Sequence, residues 1–173
     1  MDIVALLADK STKSAQKREQ ICQALENTVI TAREIRTYAF DDSSVCTILE
    51  AMEAVSRSKP GIADIEWLNY AGERLSSMSN AVKREASRVV GNIAHLFSDE
   101  IGKLADVLIE NTKNGGTVVR WGSAYALGRI VGIPEFANGQ LFDVLAGLAE
   151  RETENGVKNQ YLNGLKKAKQ LRK

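Results

Sequence analysis

The sequence predicts an all-α protein of about five stacked helical hairpins. Three observations carry this. Apolar residues recur with a period near 3.6 along almost the whole chain, two prolines and 13 glycines leave long stretches without breakers, and one segment returns 37 residues later. Residues three and four apart share one face of a helix, whereas a strand alternates its faces, so the period itself excludes a β fold. With 44% apolar and 26% charged residues the 173-residue chain has globular composition, and at this length about 70% of the unfolded surface can be buried.

Taken in chain order, residues 11–26 present Ile21, Cys22 and Leu25 on one face, and residues 28–40 present Val29, Ala32 and Ile35. Val45, Ile48, Leu49, Met52 and Val55 form the next stripe, with Ser43 or Ser44 expected as N-cap. Asp64 opens a helix bearing Ile65, Leu68, Ala71 and Leu75, and Ser79 or Asn80 opens one bearing Val82, Ala86, Val89, Val90 and Ile93. Ser98 is expected to start the helix of Ile101, Leu104, Ala105 and Leu108, and the stripes Leu141/Val144/Leu145/Leu148 and Val157/Tyr161/Leu165/Ala168 follow. That makes nine or ten helices. Residues 107–121, VLIENTKNGGTVVRW, taken alone read as a β-hairpin about Asn114-Gly115. The repeat argues for a helix there instead, with Thr117 as its cap.

The repeat aligns VKREASRVVGNI at 82–93 with VRWGSAYALGRI at 119–130; weaker copies begin at Val157 and Val45. Gly91 then corresponds to Gly128, and Lys166 stands in their place in the final copy. Pro60 and Pro134 each follow the second helix of a unit, where a proline blocks continuation. Helix–turn–helix units of this length whose second helix reads V-[KR]-x-x-[AS] and then [VL]-G-x-I resemble HEAT repeats. The best copies are 62–97 and 98–131, with 135–173 and a divergent 1–60 completing a single repeat domain over 1–173. The resemblance implies a right-handed α-α superhelix, an α-solenoid, with the second helices lining its concave face.

Catalytic and cofactor chemistry finds little support. The chain lacks GxxxxGK[ST] and GxGxxG, has one histidine, His95, and places Cys22 and Cys46 without neighbours at metal-ligand spacing. The acidic pairs Asp41-Asp42 and Asp99-Glu100 fall at helix starts, where carboxylates complement the helix dipole. No metal, no cofactor and no enzymatic activity are expected. The N-terminus MDIVALLADK lacks the basic region of a signal peptide, and no apolar run reaches the ~18 residues of a membrane span, so a cytoplasmic protein with no membrane partner is expected.

Charge segregation is the informative signal. The first helices of the three C-terminal units (62–77, 98–112, 135–154) carry −2, −3 and −4, while the second helices (80–97, 117–131, 155–173) carry +2, +2 and +6, all hidden in a net charge of +1. Lys83, Arg120 and Lys158 occupy one repeat position and form a basic ladder; Arg84, Arg88 and Arg129 add charge, and Trp121 and Tyr125 share a helix face. By the resemblance these eight residues line the concave face and bind there. The expected function is a non-enzymatic scaffold for a protein or acidic peptide. Nucleic-acid binding through the same ladder is the alternative, and a relative of the HEAT-like alkylpurine DNA glycosylases is a more distant one, since it needs a carboxylate among aromatics and Glu85 is the one acid of those second helices. A packed Trp121, with layers that only balance one another, is the reading in which nothing binds.

Overall fold

A computed structural model describes residues 1–172. Eleven α-helices and no strand occur among the described residues. They are α1 (Ile3–Ala8), α2 (Ser14–Glu26), α3 (Ala32–Arg36), α4 (Asp42–Ser58), α5 (Ile65–Arg74), α6 (Asn80–Ile93), α7 (Ile101–Asn111), α8 (Thr117–Ile130), α9 (Pro134–Ala137), α10 (Gln140–Arg151) and α11 (Asn155–Lys169). Short 3-10 turns fill Pro60–Ile62 and Ala94–Leu96. The segment that resembles a hairpin in sequence is the end of α7, a turn, and the start of α8. Gly116, in extended conformation, is the N-cap of α8, and the Asn114 side chain accepts from its N–H; Thr117 is the first helical residue.

Several local expectations are corrected. Asp41, and neither Ser43 nor Ser44, caps α4, its carboxylate accepting from Ser44 N–H at 2.7 Å. Helix α7 begins at Ile101 rather than Ser98, because the chain leaves α6 through a 3-10 turn and reaches the helix late. The span 135–154 is broken: Pro134 starts α9, and Gly139 leaves the helix and becomes the N-cap of α10. At the end of α2, Thr28 takes a left-handed φ of 55°. The reversal turns Val29 out to solvent and sends Ile30 into the core in its place. Asp64 and Ser79 cap α5 and α6 as the sequence suggests. The far end of the last unit, at Lys173, lies outside the described residues.

The helices pack in a regular order. α2 lies on α4, α4 on α6, α6 on α8 and α8 on α11, while α5, α7 and α10 each cover the following member of that row. Glycines set the spacing. A Cβ on Gly91 would lie 2.8 Å from Ala126 Cα, one on Gly128 would lie 2.6 Å from the Gln160 carbonyl oxygen, and one on Gly164 would collide with the Gly128 backbone. Backbone therefore meets backbone across α6/α8 and α8/α11. The contact is staggered by two residues, so Gly128 faces Gly164 and not its repeat equivalent Lys166. One apolar cluster runs from Ile3 to Ala168, and each fully buried Leu, Ile or Val in it contributes about 1.5–3 kcal/mol of transfer free energy.

Candidate functional site

Helix α8 is the centre of the site. Its register puts Trp121, Tyr125 and Arg129 on one line, four residues apart. A buried polar chain fixes the middle of that line. The Tyr125 hydroxyl donates to Asn92 Oδ1 at 2.6 Å, and Asn92 Nδ2 donates to the Glu53 carbonyl and to Ser56 Oγ, the latter at 3.0 Å. α4, α6 and α8 are thereby tied by side chains whose donors and acceptors answer one another. Trp121 stacks on the fixed Tyr125 ring at a centroid distance of 5.5 Å, and the Arg129 guanidinium lies 4.5 Å from the centre of that ring.

Beside Trp121, α6 supplies Arg84 and Arg88 around a buried carboxylate. Arg84 Nε donates to Glu85 Oε1 at 2.6 Å, Arg88 Nη1 to Glu85 Oε2 at 2.8 Å, and Arg88 Nη2 lies 2.8 Å from Glu53 Oε1. Glu85 and Glu53 are 1% and 4% exposed. Bare carboxylates so buried are costly, and the shared guanidinium is what makes them tolerable. A cleft of about 590 Å³ opens here between Arg84, Glu85, Arg88, Thr117, Val118 and Trp121. A smaller one of about 290 Å³ continues past Tyr125 and Arg129 to Gln160, Asn163 and Lys167.

The structure divides the eight residues expected together. Arg84, Arg88 and Trp121 line the first cleft, and Tyr125 and Arg129 the second. Lys83 and Lys158 line neither, and Arg120 is turned away. Its Nε donates to Glu152 at 3.2 Å and its Nη1 to the carbonyls of Asn114 and Gly115, inside a separate cleft. The reason is helical geometry: successive residues lie about 100° apart, so the ladder position and the Trp121 position cannot share a face. The useful rows are one residue on, Arg84/Trp121/Asn159, Arg88/Tyr125/Asn163 and Asn92/Arg129/Lys167. Asn92 and Lys167 are legible from the same repeat offset that aligns Lys83 with Arg120.

Arg84 and Arg88 are committed to buried acids, so the positive charge of the face is smaller than residue counting gives. Arg129 and Lys167 have no carboxylate within 4.0 Å among the described residues. Glu85 has a guanidinium on each of its two carboxylate oxygens. No group of three or more metal-ligating side chains occurs among the described residues. Cys22 and Cys46 are free and half-buried, and burial pushes both thiols up, away from the reactive thiolate. No helix among the described residues is long and apolar enough to cross a membrane.

No protein-family model matches the chain, and no curated protein matches it. Among solved structures it is similar to the crystal structure of an engineered protein from the Northeast Structural Genomics Consortium. The match has 15% identity and a TM-score of 0.58, over 99% of this chain and 98% of that one. At that identity the likeness extends to the fold alone.

Proposed function

We propose that the chain is a non-enzymatic, HEAT-like scaffold of the cytoplasm, a right-handed α-solenoid of about five hairpins. It holds an acidic segment of a partner protein on the face made by its second helices. The observation that carries this reading is the line Trp121–Tyr125–Arg129. A partly buried indole is fixed by stacking on a tyrosine that is itself hydrogen-bonded from below, with cations at both ends. Rings held rigid before binding lose little entropy on contact, and Trp, Tyr and Arg dominate interface energetics. The occupant fitting both clefts is an extended segment with an apolar or aromatic residue for the Val118–Trp121 cleft and carboxylates for Arg129 and Lys167. The two free cysteines suit a reducing compartment.

The test is selection from a displayed library of random peptides. Wild-type protein should enrich Asp and Glu around an aromatic or aliphatic residue, and the double variant Arg129→Glu, Lys167→Glu should lose that enrichment. Absence of acidic enrichment contradicts the reading. A second reading rests on the same rings, because exposed aromatics beside cations also stack nucleic-acid bases. Oligo-dT binding whose affinity falls steeply with salt, and is abolished by Trp121→Ala, would favour it.

A further inference from the structure

A third cleft lies apart from the Trp121 face, where the turn between α7 and α8 meets the turn between α10 and α11. Its volume is about 500 Å³, within the ~300–1,000 Å³ range of small-molecule sites. One wall is apolar, formed by Ile109, Val144 and Leu148, and the polar side carries Arg120, Arg151, Glu152 and Tyr161. Two side chains of the lining have polar groups to spare. Tyr161 is 1% exposed, lines the cleft, and its hydroxyl makes no hydrogen bond among the described residues. Arg151 also lines it and has no carboxylate within 4.0 Å among the described residues. The Tyr161 hydroxyl is thus a donor left over in the cleft lining for a guest.

We infer that this cleft binds a small carboxylate carrying an apolar body, its anion between Tyr161 and Arg151 and its body against Ile109, Val144 and Leu148. Of the three cations in the lining, Lys113 is paired with Glu110 and Arg120 with the lining carboxylate Glu152, which leaves Arg151 to answer a guest's charge. That carboxylate, Glu152, is already answered: Arg120 donates to Oε2, and the N–H groups of Thr153 and Glu154 donate to Oε1, each at 3.0 Å. Arg120 keeps its Nη2 free of protein partners among the described residues. Burial, seconded by the Glu152 charge, pushes the Tyr161 phenol up to about 12, so it stays protonated and donates. Hydrogen bonds to a charged acceptor are about twice as strong as neutral ones. That favours a carboxylate over its isosteric amide.

The probes are 4-phenylbutyrate, 4-phenylbutyramide and inorganic phosphate, followed by amide chemical shifts. Phenylbutyrate should give saturable shifts confined to residues 109–120, 144–153 and 161, with the amide and phosphate at least about tenfold weaker. Tyr161→Phe removes a hydroxyl that bonds to nothing in the fold, so its melting temperature should hold or rise while phenylbutyrate affinity falls severalfold. Arg151→Gln, a surface change, should also weaken binding without unfolding the chain. No saturable shift up to ~10 mM, equal binding of the amide, equal binding of phosphate, or unchanged affinity in both variants would each overturn the inference. Shifts centred on Trp121 would overturn it too, and would leave the acidic-peptide face to be judged by its own experiment.

Discussion

At Gly128 the α8 and α11 backbones touch, and no side chain fits. A single methyl there would sit 2.6 Å from the Gln160 oxygen, and that atom belongs to the backbone of a packed helix. Gly128→Ala should therefore destabilise by about 1–3 kcal/mol, the usual cost of overpacking. Gly102 is the internal control: it is helical and exposed, and a methyl added there would meet nothing within 4 Å. Gly102→Ala should stabilise by about 0.5–1 kcal/mol, since alanine is the better helix former. Urea midpoints for the two variants should move in opposite directions. The packing role of Gly91 and Gly128 is legible in the sequence from their shared repeat position. What they touch is not, because the two-residue stagger between neighbouring helices is a property of the packing angle, which no single helix encodes. The same limit hides the pairing of Arg88 with Glu53, since Glu53 comes from a different helix than the arginine it holds.

Element boundaries follow caps, and two predictions distinguish the real ones. Asp41 holds the first turn of α4, so Asp41→Ala should cost about 1 kcal/mol, while Ser43→Ala should stay within about 0.5 kcal/mol. Equal thermal shifts for the two would contradict the assignment. The sequence offers a run of polar residues, Asp41 to Ser44, before the Val45 stripe, and only the backbone decides which of them precedes the helix. The joint between α10 and α11 depends on pH. Burial pushes Glu152 up, but the Glu154 N–H, Arg120 and the Thr153 N–H outweigh it, and the carboxyl lies below its ordinary value of 4.5. A depressed carboxylate contributes stability above its ordinary value and loses it as pH falls through the folded one. Glu152→Gln should thus be less stable than the parent by about 1–2 kcal/mol near pH 7, with the difference closing below about pH 4. Chemical denaturation at pH 7 and pH 3 measures both; a constant difference would show that the charge of Glu152 does nothing.

For the whole molecule, the alternation of acidic first helices and basic second helices is real in the sequence, yet the structure converts part of it into internal pairs. Arg84, Arg88 and Arg120 answer Glu85, Glu53 and Glu152. What remains for a partner is the aromatic line on α8 with Arg129 and Lys167 beyond it. The sequence leaves Trp121 as either anchor or core, and periodicity cannot separate the two for an indole that is half-buried in either case. The most direct measurement uses the fact that the chain has two tryptophans, of which Trp67 is buried at 4% exposure. In a Trp67→Phe variant the remaining fluorescence belongs to Trp121. Titration with poly-L-glutamate at low salt should change that emission saturably. The change should weaken as salt rises through a Debye length of about 10 Å near 0.1 M, and it should vanish in the Arg129→Glu, Lys167→Glu background. An emission that stays constant at low salt, or that responds equally in the charge-reversed background, would contradict the claim that this face receives an acidic partner.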